Sequence, residues 1–379
     1  MTEQVGTRKL EILSITAGTG FVNQAGKFGK EIAGKQYSKY IVLHKGDFSY
    51  NKGNSRLYPQ GCIYRLEDRD EAAVPNVFDS FRFKEGVNSD YYKHLFLSGF
   101  LNRQLARLIN SGVRNNGLLN LYDDDFYGCI LPVPPASEQA RIAGILSTWD
   151  RATLLKEQLI EAKKQQKQWL MHGLLTGELR LPGFVGEWKE NTLSGIVHLG
   201  KEKADPSKAT DETQCIELEH VEAMSGRLIG TVQANRQRSA KAVFSAGDVL
   251  FGKLRPYLCK YYRASESGLC STEFWVLKPV SNRVVSEYLC LMVQMPSFTK
   301  LCAMSTGSKM PRADWSTIRS AIVSYPETKE QTAIAAVLSS ADREIDLHRQ
   351  ALEQLKRQKN ALMQLLLTGA TGVTQSSPE

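Results

Sequence analysis

Residues 134–150 read PPASEQARIAGILSTWD, and residues 326–342 read PETKEQTAIAAVLSSAD. Glu138-Gln139 and Glu330-Gln331 lie 192 residues apart, and the same offset aligns Ile142-Ala143 with Ile334-Ala335 and Asp150-Arg151 with Asp342-Arg343. The register runs without a gap from 138 to 177, closing on Leu174-Leu175-Thr176-Gly177 and Leu366-Leu367-Thr368-Gly369, with about half of the positions identical. An internal repeat of this kind organises everything around it.

Both copies lack proline and are rich in Leu, Gln, Lys, Glu and Ala, so each is expected to be a long helix. Thr328 with Gln331 reads as a capping box, and Gly177 and Gly369 as C-terminal stops. About 38 residues at 1.5 Å each make a rod of roughly 57 Å, which needs a partner for its apolar stripe. The second copy offers Ile334, Leu338, Ala341, Ile345, Leu352, Leu355, Leu362 and Leu366 on a four-three spacing. The first offers Ile142, Leu146, Trp149, Ile160, Leu170 and Leu174 in the same frame. This is the pattern of a coiled-coil seam, interrupted at the equivalent positions Lys167 and Lys359.

The segments ahead of each helix are richer in Gly, Ser, aromatic and β-branched residues. Tyr40–Leu43, Val249–Phe251 and Phe274–Leu277 are expected to be strands, and Tyr91–Leu108 and Val285–Met295 helices. The fold class is therefore mixed α/β. The plan is one α/β domain over 1–137, a helix over 138–177, a second α/β domain over 178–329, a helix over 330–369 and a disordered tail over 370–379. The two α/β segments echo each other faintly. Gly46-Asp47-Phe48 precedes Lys52 as Gly247-Asp248-Val249 precedes Lys253, and both segments end in Ile-x-x-x-Pro, at 130–134 and 322–326.

The 379 residues carry 48 Lys and Arg against 40 Asp and Glu, a net charge of +8, which permits a nucleic-acid partner without requiring one. The N-terminus has no apolar signal core, and no apolar run is long enough to span a bilayer. Seven scattered cysteines without a C-x-x-C pair suit neither a disulfide framework nor a zinc ribbon, and fit a reducing cytosol. Gly247–Lys253 has P-loop spacing but ends in Leu254, and Gly195–Lys201 ends in Glu202, where Mg²⁺ binding needs Ser or Thr. Pro132–Pro135 is not an amino-methyltransferase loop. Asp314, Glu327 and Lys329 read as a surface charge cluster rather than a nuclease centre. The six histidines form no metal-ligand pair, and no nucleophile elbow is present. The expectation is a chain without a catalytic or metal site of its own.

Recognition chemistry is present instead. Residues 252–263 interleave Lys253, Arg255 and Lys260 with Tyr257, and residues 305–312 add Ser308, Lys309 and Arg312. In the first segment Tyr50, Asn51, Lys52, Asn54 and Arg56, then Arg114, Asn115 and Asn116, occupy the corresponding places. Lys and Arg neutralise phosphates or reach guanine, and Asn can read adenine.

The chain resembles the specificity subunit of type I restriction–modification systems. The resemblance rests on Pro-x-x-x-Glu-Gln-x-x-Ile-Ala-x-(Ile/Val)-Leu-Ser-x-x-Asp at 134–150 and 326–342, and on Leu-Leu-Thr-Gly closing each helix. The run from Gly247 to Tyr257, followed by Ser271-Thr272-Glu273-Phe274, also looks like the family's target-recognition domain. The resemblance implies a non-catalytic, cytoplasmic protein in which two target-recognition domains each read half of a bipartite double-stranded DNA sequence. It implies that the two helices pack antiparallel and set the spacing. It further implies two adenine methyltransferase subunits that bring S-adenosylmethionine, and restriction subunits that bring ATP and Mg²⁺. Thr272 and Glu273 join the DNA-facing candidates on the same ground. A specificity module of another restriction or methylation assembly, or a coiled-coil adaptor that binds no DNA, are the other readings. One departure from symmetry stands out. The second domain opens with Leu181–Trp188, about 30 residues before Ile216-Glu217-Leu218, whereas the counterpart Leu10-Glu11-Ile12 stands almost at the start.

Overall fold

The computed structural model describes residues 3–28, 34–53, 58–109, 119–303 and 311–370. The chain divides into two compact units, residues 1–157 with 351–379, and residues 158–350. The two long helices, Ala136–Thr176 and Thr328–Leu367, each contribute one part to each unit.

In the first unit the Phe48–Asn51 strand lies between Cys62–Arg65 and Asp79–Phe81 in an antiparallel sheet. Ile41–His44 pairs with Glu71–Val74, and Leu13–Thr16 forms a hairpin with Gly20–Asn23. Phe48, Tyr91, Tyr92 and Leu95 share a core with Ile142, Ala143 and Leu146 of the first long helix and Met363, Leu366 and Leu367 of the second. The expected helix over Tyr91–Leu108 is two helices, Ser89–Leu97 and Asn102–Leu108. Gly99, at φ 77°, turns the chain between them in a conformation that costs glycine little.

The second unit holds a four-stranded antiparallel sheet in the order Tyr261–Arg263, Val249–Gly252, Phe274–Pro279, Val197–Leu199. Beside it stand a five-stranded sheet and the pair Ile322–Tyr325 with Lys189–Thr192. Leu174 and Leu175 of the first long helix meet Ile334, Ala335 and Leu338 of the second inside this core.

The faint echo between the α/β segments is a shared device. Asp47 Oδ2 accepts the His44 amide at 2.7 Å and Asp248 Oδ2 accepts the Ser245 amide at 2.8 Å, each closing a turn through a glycine at positive φ. Arg82 grips Asp47 through two hydrogen bonds, at 2.6 and 2.8 Å, and Lys278 reaches Asp248 at 2.5 Å. The turn feeds the central strand of each sheet, Phe48–Asn51 or Val249–Gly252.

Within each unit the helix segments run antiparallel. In the first, Asp150 meets Lys359 while Glu157 meets Lys356. In the second, Lys163 meets Glu344 at 2.8 Å while Lys167 meets Asp342 at 2.7 Å. Of the seam residues, Ile142, Leu146, Leu174, Ile334, Leu338, Ile345, Leu352 and Leu366 are buried, and Trp149, Leu170, Leu355 and Leu362 are half-buried. The Thr328–Gln331 capping box does not form. Thr328 is already the first helical residue, and the Gln331 amide donates instead to the carbonyls of Pro326 and Arg283 at 2.8 and 2.7 Å. Gln139 makes the equivalent bond to Pro134 at 2.8 Å. Both glutamines lock the extended entry segment to the first turn of the helix. Among the described residues no helix is long and apolar enough to cross a membrane.

Candidate nucleic-acid interface

The second unit gathers its basic tract on one rim. The Val249–Gly252 strand is wholly buried, so the chain turns immediately after it. Lys253 is fixed by its backbone, its N–H donating to Glu273 O at 2.9 Å and its carbonyl accepting the Ala313 N–H at 2.8 Å. Arg255 and Cys259 both adopt left-handed backbone, at φ 53° and 42°, around the short turn Pro256–Leu258. Such conformations cost non-glycine residues of order 1–3 kcal/mol each and persist only when surroundings impose them. Here buried Pro256 and Cys259 and the bond from Arg255 N to Pro311 O at 2.7 Å impose them. The outcome is that Arg255 and Tyr257 stand out in solvent, Tyr257 being 52% exposed.

Arg312 lies beside them through the bridge between Leu254 and Arg312, its guanidinium held by both Glu273 oxygens at 2.9 Å. A carboxylate gripping an exposed arginine orients the fork while leaving N–H groups for a ligand. The structure thus brings Lys253, Arg255, Tyr257, Thr272, Glu273 and Arg312 together. Lys260 is a correction: its ammonium donates inward to Leu218 O at 2.7 Å and braces the loop. Sequence reading passed over Met224, 69% exposed at φ 62°, whose N–H donates to Cys259 O at 3.2 Å on the same rim. No residue pattern singles it out.

In the first unit the expectation fails at three residues. Tyr50 is fully buried, stacked on Phe126 with its hydroxyl donating to Gln60 O at 2.7 Å, because the Phe48–Asn51 strand is covered on both faces. Lys52 sits between Asp79 at 2.8 Å and Asp123 at 3.0 Å. Burial opposes its charge, but the hydrogen bonds its ammonium donates to the two carboxylates outweigh this and raise its pKa. Asn51 spends its side chain on Ile15 O and on the Gly53 N–H. Asn54, Arg56, Arg114, Asn115 and Asn116, with Ser308 and Lys309 of the second unit, lie outside the described residues.

Burial pushes the thiols of Cys215, Cys270, Cys290 and Cys302 up to about 12, which keeps them protonated and unreactive at neutral pH. Among the described residues no three His, Cys, Asp or Glu side chains converge to hold a metal ion.

Residues 186–357 match the family model of the type I restriction modification DNA specificity domain. The chain is 22% identical over 293 residues to the type I restriction enzyme EcoDI specificity subunit of Escherichia coli, an alignment covering 68% of this chain and 64% of that protein. The chain therefore spans just under two thirds of that relative's length. Two solved structures share the fold. One is a chain from a study of complex assembly and conformational transition of the type I R-M system, with TM-score 0.56, 17% identity, and coverage of 86% of this chain and 83% of that one. The other is the type I restriction-modification system S subunit from M. genitalium, with TM-score 0.52, 15% identity, and coverage of 96% and 90%. Over residues 186–357 the chain is similar to the type I restriction modification DNA specificity domain, and over 293 residues to a type I restriction enzyme specificity subunit.

Proposed function

We propose that this chain is the non-catalytic DNA-recognition subunit of a type I restriction–modification complex. Residues 1–137 and 178–329 act as two target-recognition domains that read the two parts of a bipartite, asymmetric double-stranded target. Two adenine methyltransferase subunits and the restriction subunits assemble on it in the cytoplasm and bring S-adenosylmethionine, ATP and Mg²⁺; the chain itself contributes recognition. The observation that carries this reading is the pairing of like supports with unlike rims. Both units are built on the same Gly-Asp turn and the same helix repeat, yet among the described residues the second sets Arg255, Tyr257 and Arg312 in solvent beyond its central strand while the first buries Tyr50 and pairs Lys52 with Asp79 and Asp123. Two different readers on matched supports suit a target with two different halves. Exposed arginines and a tyrosine at a rigid turn can take phosphate and base-edge contacts together.

The test is binding-site selection from random duplex DNA by the chain assembled with its methyltransferase subunits. A recovered motif of two unlike half-sites at a fixed gap is expected. A single contiguous motif, or none, refutes the reading. Steep loss of binding with salt is expected too, since phosphate contacts release counterions.

A further inference from the structure

We propose that Arg312 reads a guanine through the major groove of the half-site taken by the second unit, and that Glu273 is the positioning residue that aims it. The proposal rests on the DNA reading above and assigns one base of the target to one side chain.

The grip between the two residues is side-on. Arg312 Nε donates to Glu273 Oε2 and Nη2 donates to Glu273 Oε1, both at 2.9 Å. A guanidinium carries five N–H groups in one rigid plane. The carboxylate takes the Nε–H and one N–H of Nη2. It leaves the end of the fork, where Nη1 and Nη2 each point an N–H the same way. Among the described residues that end meets no acceptor, and the Arg312 side chain is 59% exposed. Two parallel donors at that spacing match the O6 and N7 acceptors that guanine shows in the major groove.

The mount is as rigid as the fork. Arg312 bridges Leu254, with Arg255 N donating to Pro311 O at 2.7 Å on one side and Ala313 N donating to Lys253 O at 2.8 Å on the other. Ala313 is buried, and Asp314 caps the short helix Trp315–Ile318 by accepting the Ser316 N–H at 3.0 Å. Trp315 lies edge-on to the buried Trp275, with ring centroids 5.6 Å apart. Trp275 belongs to the Phe274–Pro279 strand, which Glu273 immediately precedes. The arginine and its glutamate are therefore anchored on one core from two directions. A fork aimed before its ligand arrives loses little freedom on binding.

Glu273 has no other task. Among the described residues its carboxylate meets no partner except Arg312. Other arginines held side-on are accounted for. Arg69 also gives Nη1 to Glu11, and Arg180 also gives Nη2 to Gly186 O. Arg82 serves the Gly-Asp turn, where Lys278 does the same work with a bare ammonium.

Charge decides between base and phosphate. The Arg312–Glu273 pair carries no net charge, so it gains little from an anionic phosphate, whereas its oriented donors suit the uncharged acceptors of a base. Lys253 and Arg255 stand on the same rim without an ion-pair partner among the described residues. They are the cations left for phosphates.

The experiment uses the chain assembled with its methyltransferase subunits, on the motif that it selects from random duplex DNA. Wild type should demand guanine at one position that the variants cease to read. Arg312→Ala with Glu273→Gln removes the neutral pair as a unit. It should lose that preference alone, weaken binding to the site about ten- to a hundredfold, and leave the salt slope unchanged. Arg312→Lys keeps the charge without the fork and should lose the preference too. 7-Deazaguanine at that position, with carbon in place of N7, should weaken wild type about tenfold and the double variant hardly at all. Inosine, which keeps O6 and N7, should bind as guanine does. Glu273→Gln alone should relax the preference and steepen the salt slope by up to about one, since the arginine charge is then unopposed. A glutamate that only held the loop would not steepen it. A guanine preference that survives the variants, or wild type indifferent to 7-deazaguanine at every guanine of the motif, overturns the proposal and leaves the DNA reading standing. So does a double variant that flattens the salt slope with every base preference intact. Failure of wild type to select any motif sinks the DNA reading, and the proposal with it.

Discussion

Lys167 meets Asp342 at 2.7 Å in the second unit, and Lys359 meets Asp150 in the first. Lys167 and Lys359 are repeat equivalents, as are Asp150 and Asp342. The lysines that interrupt the apolar seam are therefore half of a two-fold set of bridges, each tying the lysine of one copy to the aspartate of the other. An antiparallel pairing shifted by one helical turn would part both bridges at once. We expect Lys359→Met to destabilise the first unit by about 1–3 kcal/mol, since Asp150 is partly buried. Lys167→Met should cost less, about 0.5–1 kcal/mol, because Asp342 is more exposed. The exchanged pair Lys167→Asp with Asp342→Lys should recover most of the loss in a double-mutant cycle read by chemical denaturation.

His94 gives the first unit a pH dependence. It is fully buried, and burial, helped by Lys93 and Lys359 and opposed by Asp150 and Asp90, lowers its pKa to about 4. Its Nε2 lies 3.4 Å from Ser147 Oγ. In the unfolded chain the imidazole titrates near 6.5. Below that pH the unfolded chain binds a proton that the fold refuses, so stability falls between 6.5 and 4 and is unaffected above. The full effect is up to about 3 kcal/mol. Leu291 holds the corresponding place in the second unit, three residues after Tyr288 as His94 is after Tyr91. His94→Leu should flatten that part of the profile, measured as the difference in urea midpoints between pH 7 and pH 5.

Arg255 and Tyr50 should separate recognition from folding. Arg255→Ala should weaken DNA binding by the assembled complex and lower the salt slope by about one if the contact is to phosphate. It should leave the unfolding midpoint nearly unchanged. Tyr50→Ala should do the reverse, destabilising the first unit by about 3–5 kcal/mol through loss of a buried aromatic. Equal effects of both variants on the two readouts would contradict the assignment.

Lengthening both helices should alter spacing alone. Four residues inserted after Gln158 and after Gln350 add about one turn to each. Selected sites should keep both half-site sequences and change the gap between them. An unchanged gap would show that something other than the helices sets it.

The repeat helices were legible because two rods that pack on each other must carry matching seams, and the match is visible at a fixed offset. Among the described residues, an exposed basic rim was legible not in the first unit but in the second. There Pro256 and the two left-handed residues throw basic side chains outward, and the run of charge is visible as such. In the first unit the Phe48–Asn51 strand is buried at three successive positions, so alternation gives no inside and outside and Tyr50 cannot be told from a surface tyrosine. Lys52 was misread because its neutralising partners, Asp79 and Asp123, are distant in sequence. The break at Gly99 escaped because the apolar spacing on either side suits one continuous helix.

The sharing of each long helix between both units bears on the order of synthesis. Met363, Leu366 and Leu367 belong to the core that Phe48, Tyr91 and Ile142 began. The part of the chain that leaves the ribosome first is thus the part whose interior is finished last. A translational stop at codon 363, removing those three side chains, would strike the N-terminal unit while sparing the one that precedes the cut.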